Sequence, residues 1–377
     1  MNIIQAHSTH SGKLERWLGR ENVEQISFLM QNWYGPPIAL GGVPGKVFAH
    51  KGGDFRGRIT TGAEATVLCA LESFGRSIRR GCRHARPYAQ VNTGFASLSD
   101  LIAEATGGKK QDLAFMKLGP TKVIGAASQL WQVDRWPPIG SPGAAPPGGT
   151  AHTKANTGAM AFNNPSSPDT THFVSGFVVG SLINTLLLYD RLFSVAKTIN
   201  STGTEAVTGV PTRYQNTTPG QKDSIAGNFL FMPVGLTAYA NTAHNWTVCT
   251  YKDQADAAST MPSLTGNPGG VATIIHRFDM PLSVWFAPLE TGDTGIKALT
   301  QMQCSALVAT GLLDFVIGHP IAWLPIPIAN VMCVADGINT AFNLTQIFDD
   351  ACLSFLEVAP PVATATNYSG TISIVSG

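Results

Sequence analysis

From His172 to the C-terminus the apolar residues arrive in short runs, each closed by turn-forming residues. That rhythm fits stacked or closed antiparallel sheets and little else. Its densest part is Leu282–Pro327. Leu282–Leu289 is apolar and aromatic, as a half-buried strand requires. Glu290–Gly295 supplies two glycines and an Asp, which is turn chemistry. Ile296–Val308 alternates loosely, Thr310-Gly311 breaks it, and Leu312–Ile317 opens the next run. Pro320, Pro325 and Pro327 remove ladder donors, so this third strand is expected to be short, bent or at an edge.

Further strands are expected at FVSGFVVG, LINTLLLYDRLFSV, FLFMPVGLTAY, NWTVCTYKDQ, VATIIHRFD, Cys352–Val358 and Gly370–Val375. In NWTVCTYKD, strict alternation would put Trp246 and Val248 on one face and Thr247, Cys249 and Tyr251 on the other. The expected fold class is mainly β with an α-containing N-terminal region, the C-terminal part an antiparallel, jelly-roll-like β-sandwich. Helices are expected at Glu21–Asn32, over 60–90, where Glu64 stands three residues after Thr61 at capping-box spacing, and over 97–118 with a break at Gly107-Gly108-Lys109-Lys110. Residues 136–169 are rich in Pro, Gly, Ser and Asn without periodicity, which reads as a long loop or linker. The expected organisation is therefore 1–135 as a helical and extended arm region, 136–169 as linker and 170–377 as the β-sandwich.

Only 13% of the residues are charged, about half the usual share of roughly 25%. A surface so poor in charge suits a subunit that buries much of itself against neighbours. The charge is also uneven: residues 1–150 carry net +7 and residues 151–377 net −6. Arg76, Arg79, Arg80, Arg83 and Arg86 recur at three- and four-residue steps. On a helix they share a broad face able to contact phosphate backbones without reading sequence. They are the candidate nucleic-acid-facing residues.

No catalytic residue, no cofactor and no metal site is expected from the sequence. H-E-x-x-H, G-x-S-x-G and G-x-G-x-x-G are all missing. Gly41–Lys46 has Leu40 where a phosphate loop needs its first Gly, and Val47 where it needs Ser or Thr. His7 and His10, His276 with Asp279, His319 beside Asp314, and Asp349-Asp350 are the titratable pairs worth locating. None of the six cysteines has C-x-x-C spacing, and most lie in apolar runs, so buried free thiols are expected. The N-terminus lacks an apolar signal core, and Phe173–Tyr189 is too interrupted to span a bilayer. Cytosolic synthesis without membrane insertion is the expectation.

LLLYDRLFSV (Leu186–Val195), VPTRY (Val210–Tyr214), NWTVCTYKDQA, GDTGIKAL (Gly292–Leu299) and the closing DDACLSFLEV with GTISIV carry a resemblance. In order and pattern they resemble virion structural proteins of tailed bacteriophages, over roughly Leu186–Val375. The resemblance implies a non-enzymatic, homo-oligomeric subunit of the phage head, a major capsid or a cement or decoration protein. Its partners would be other head proteins, with non-specific contact to packaged DNA, and its location the virion. The alternative class is a tail or receptor-binding β-sandwich that binds carbohydrate, with Trp246, Trp285 and Trp323 as stacking candidates.

Overall fold

The computed structural model describes residues 94–377 except 239, 267–274, 339–343 and 359. All of them belong to one compact unit, Val91–Gly377. The helices expected at Glu21–Asn32 and 60–90, the segment Gly41–Lys46, and His7 and His10 lie outside the described residues. So do Arg76, Arg79, Arg80, Arg83 and Arg86.

The described chain is almost entirely β, in three antiparallel sheets. Sheet I has the order β14 (Cys333–Asp336), β5 (Thr171–Gly180), β17 (Asn367–Ser376), β1 (Lys110–Leu118) and β3 (Arg135–Trp136), with β15 (Gln346–Ile347) also on β5. Sheet II runs β2 (Ser128–Gln129), β16 (Leu353–Glu357), β6 (Asn184–Lys197), β13 (Leu313–Ile326) and β8 (Phe229–Phe231), with β4 (Thr150–Ala151) on β6. Sheet III runs β10 (Ala258–Thr260), β9 (Asn245–Lys252), β12 (Ala298–Cys304) and β7 (Glu205–Ala206), with β11 (Leu264–Thr265) on β9.

Sheet II lies between two cores. Toward sheet I, its Leu186, Leu188, Leu324 and Phe355 meet Leu113, Phe115, Phe173 and Ile372. Phe115 and Phe355 stand 4.4 Å apart between ring centroids. Toward sheet III, Leu187, Tyr189, Phe315 and Val316 meet Trp246, Tyr251, Leu299 and Met302. The expected sandwich is present, with a third sheet on the far side of its middle layer. A strand covered on both faces needs a near-continuous apolar run. LLLYDRLFSV is such a run, and β6 is buried along nearly its whole length.

Five expectations change. The described part of VATIIHRFD, from Ile275 on, makes only isolated bridges at Arg277 and Phe278 rather than a strand. Residues 97–118 break at Gly107-Gly108 as expected, but only the part before the break is helical. α1 (Leu98–Glu104), capped by the Ser97 side chain, ends in a wide turn at Gly107-Gly108, where Gly108 sits at φ 95°, and β1 follows. Leu113 and Phe115 are spaced by two, a strand signal within an otherwise polar segment. Leu282–Leu289 is turns and irregular chain rather than a strand. Ser283 at φ 63° cannot continue a pleat, and Pro281 and Pro288 bracket it. FLFMPVGLTAY keeps its ladder only over Phe229–Phe231, short of Pro233. In β9 the strict alternation fails. A register shift against β12 lies between Cys304 and Gln303, so Trp246, Cys249 and Tyr251 are all buried.

The prolines of β13 behave as their chemistry demands, yet the strand runs 14 residues. Ile321 is an extra residue beside Pro320, which bends the ladder against β6. Pro325 lies past the reach of β8, which covers only Val316–Gly318, so its missing donor faces no third strand.

The stretch 136–169 is irregular, as a loop should be, but it packs within this unit. Met160 and Phe162 enter the core between sheets I and II. Lys117 donates from Nζ to the carbonyls of Val133 and Pro137 at 3.1 and 2.6 Å. β1 pairs with β17 over nine residues, so residues before 136 build the same sheet as residues after 169.

Gly370 marks the tightest place in sheet I. A Cβ there would lie 2.0 Å from the Phe177 carbonyl oxygen and 2.8 Å from the Phe115 ring. Gly370→Ala should cost about 2 kcal/mol or more, because backbone and an aromatic ring must both move. Urea unfolding of the variant checks this, and an unchanged midpoint would contradict the packing described.

Candidate functional site

The titratable residues singled out in the sequence are dispersed by the fold. Asp279 turns away from His276. It accepts from Trp246 Nε1 at 2.8 Å and stands 2.9 Å from His244 Nε2. Burial pulls the His244 imidazole down, but the bond and charge of Asp279 outweigh it and leave it raised. Asp314 pairs with Arg191 at 2.8 Å, not with His319. His319 bonds Asn228 Oδ1 through Nδ1 at 2.9 Å and stacks on Tyr214 at 3.8 Å. Asp350 holds the exposed Asn164 amide at 3.0 Å, with Lys154 at 3.6 Å. Asp349-Asp350 is thus an ion-paired turn.

Around β6 lies a buried ionic network. Arg213 grips Asp190 with Nε and Nη2 at 2.8 and 2.7 Å and donates to the His152 carbonyl at 2.9 Å. The Cys352 amide also donates to Asp190, at 2.8 Å. Next to it, Arg191 bonds Asp314 and Ser194 at 2.8 and 3.1 Å and lies over the Trp131 ring. His152 Nε2 stands 2.7 Å from Ser194 Oγ. A serine–histidine contact invites a nucleophilic reading, but the geometry opposes it. Arg191 donates to the same oxygen, no carboxylate orients the histidine, and His152 Nδ1 has no partner. Burial and the charges of Arg191 and Arg213 push His152 well below its ordinary range, and both residues are sealed from solvent. The network is structural.

An open hollow of about 420 Å³ lies beside it, lined by Thr212–Asn216, Asp223 and Phe348. It gathers no convergent set of acids and bases. Among the described residues no group of three or more His, Cys, Asp or Glu is placed to hold a metal. No helix among them is long and apolar enough to cross a membrane. Cys249, Cys304 and Cys352 are buried free thiols, and Cys333 is partly exposed.

The surface carries one further feature, at the border of sheet I. β14 is an outer strand of sheet I, and the segment around it exposes Ile328, Val331, Met332, Val334 and Ile338. Val334 is 54% exposed and Met332 61%. On the opposite border, Met116 pairs with Trp136 and both are exposed, Trp136 at 59%. By contrast Trp246 is buried, while Trp285 and Trp323 are partly buried against the core and meet each other edge to face at 5.3 Å. None of the three is an open stacking platform. The signal for the edge was available: VMCVADGI holds one charge and no proline.

The fold and surface define a mainly β, three-layer protein with exposed apolar sheet borders. No family model matches the chain, and no curated protein does. Solved structures of infectious bursal disease virus align over much of it. The Gt strain structure aligns at 9% identity and TM-score 0.16, covering 71% of this chain and 80% of that one. A VP2 subviral particle of the same virus aligns at 8% identity and TM-score 0.14, with the same coverage. Similarity at this level carries no argument about fold or function.

Proposed function

We propose that the chain is a structural, non-catalytic subunit of a virus particle, repeated in a bacteriophage head as a major shell or cement protein. The observation that carries this reading is the open border of sheet I at β14. An outer strand with five large exposed apolar residues in or beside it is a template for pairing with another chain. Natural monomers blunt such an edge with lysines, prolines or short length. β14 is short, at four residues, but lysines and prolines are missing from Val331–Ile338. The low charge of the whole sequence lowers the desolvation cost of wide contacts. The phage-like order of segments from Leu186 to Val375 fits the same role. Assembly then works by many modest contacts per copy, each stable one needing about 1,200–2,000 Å². The arginines between Arg76 and Arg86 would face the genome.

Light scattering on the whole chain, with and without DNA, tests this. Large regular oligomers are expected, with DNA adding mass in a salt-sensitive way. A stable monomer at all concentrations would overturn the shell role, and indifference to DNA would remove the arginine contact. Val334→Lys should lower the oligomeric fraction at least tenfold while leaving folding within about 0.5 kcal/mol, since the site is exposed. Unchanged oligomers in that variant would show that β14 is not the contact.

A further inference from the structure

At one end of the core between sheets I and II lies a closed polar cluster that the proposed function does not use. Lys122 comes from the loop after β1, Asn184 opens β6, Glu357 ends β16, Thr366 precedes β17 and Tyr368 lies in β17. All five are buried: Lys122 is 2% exposed, Asn184 6%, and Glu357 not at all. Lys122 Nζ lies 2.7 Å from Glu357 Oε1. It also donates to Thr366 Oγ1 at 2.5 Å and to Tyr368 Oη at 3.2 Å. Asn184 Nδ2 donates to the same Tyr368 Oη at 2.5 Å. The amine and the carboxamide therefore converge on one hydroxyl. The Asn184 carbonyl oxygen accepts from the Thr185 amide at 2.8 Å, which polarises the carbonyl carbon.

A buried amine, a polarised carboxamide and a buried carboxyl group in one dry pocket are the parts of an amide-exchange reaction. We propose that Lys122 and Asn184 form an intramolecular cross-link, an amide between Nζ and Cγ, with Glu357 moving the protons. Nζ first passes one proton to Glu357, becoming a neutral amine. Its lone pair attacks Cγ, and the carbonyl electrons move onto Oδ1 beside the Thr185 N–H. A second proton passes from Nζ by way of Glu357 and the Tyr368 hydroxyl, which bonds Glu357 and lies against Nδ2, to Nδ2. Collapse restores the carbonyl and breaks the Cγ–Nδ2 bond, so that ammonia leaves and takes the remaining proton from Glu357 as ammonium. No oxidant or cofactor is consumed.

Fixing the groups in one pocket supplies proximity. Excluding water protects the product from hydrolysis. Burial pushes the Glu357 carboxyl up against the pull of Lys122, which suits a group that must hold a proton in passing. The bond would tie the loop leaving sheet I to the first residue of β6 in the middle sheet, closing a ring of chain between residues 122 and 184.

The test is mass spectrometry of the whole chain under denaturing conditions, followed by tryptic digestion. The intact mass is expected about 17 Da below that of the Asn184→Ala variant after correcting for the substitution, since ammonia is lost. The digest should contain one branched peptide holding both Lys122 and Asn184, with cleavage blocked at Lys122. Glu357→Gln should return the full mass while keeping the wild-type circular dichroism spectrum. Should that variant not fold, Asn184→Ala keeps the ion pair and provides the uncross-linked reference. A wild-type chain at full mass would overturn the proposal. So would a loss of ammonia with the two peptides unlinked, because that marks ring closure within Asn184 alone.

Discussion

Acidification from pH 8 to pH 5 should destabilise the described unit by several kcal/mol, with buried histidines as the cause. His276 is buried, its Nδ1 has no partner, and burial pulls it to about 4. His152 is pushed well below its ordinary range by burial and by Arg191 and Arg213. His172 is lowered by burial against the pull of the Leu344 carbonyl. His319 is pulled to about 3 by burial. Its ring is sealed on one face by Tyr214 but only half covered overall, so its share is smaller than that value suggests. The sign follows from proton counts. Each of these rings is neutral when folded and charges near pH 6.5 when unfolded. Their stabilisation is complete above that pH and is lost as the pH falls toward the folded value. At pH 5 His276 alone accounts for about 2 kcal/mol. His244 works in the opposite direction, because its raised pKa stabilises the fold in acid and fades as the pH rises. Asp314 and Glu357, raised by burial, likewise favour acid and soften the limb.

Urea midpoints at pH 8 and pH 5, followed by the near-ultraviolet signal of Trp131 and Trp246, measure the loss. His276→Asn is the informative variant. Residue 276 sits at φ 66°, which asparagine tolerates, and the amide does not titrate. It should shrink the pH 8-to-5 difference by about 2 kcal/mol. An unchanged difference would show that His276 protonates without cost.

Much of this architecture was legible in the residues, and the reasons for the remainder are local. LLLYDRLFSV read as a strand because its run is continuous, and continuity is what a middle sheet demands. The third sheet was not legible, since which face of β6 meets which neighbour depends on long-range pairing that no short window contains. β1 was hidden because Leu113 and Phe115 stand among charged residues and follow a good helix start. Leu282–Leu289 has strand composition, but the backbone at Ser283 takes a conformation that composition does not signal. The phase of β9 turned on one register shift, and register is a property of two strands. Of the surface, the bare edge at VMCVADGI could have been found from its lack of charge. The Lys122–Glu357 cluster could not, because its members stand far apart in the chain.

Asp190→Ala should be the most damaging single change in the middle sheet, at about 3–5 kcal/mol. Asp190 lies where β6 pairs with β13 on one side and β16 on the other, so nothing there can relax outward. Its carboxylate answers both arms of Arg213 and the Cys352 amide. Removing it leaves a guanidinium without its counter-ion and a backbone donor unpaired in a dry site, and the uncompensated charge is the larger loss. Burial works against the charge on Arg213, and the bond and charge of Asp190 are what hold its pKa up. Asp190→Asn keeps an oxygen for Cys352 and should cost less. Replacing both partners, Asp190→Leu with Arg213→Met, removes the stranded charge and should recover most of the stability lost by Asp190→Ala. The double-mutant cycle in urea then gives a coupling of about 1–3 kcal/mol. A double variant no better than Asp190→Ala would mean that the guanidinium is held by its His152 contact rather than by the ion pair. In that case the network would derive its rigidity from the backbone around β6, not from its charges.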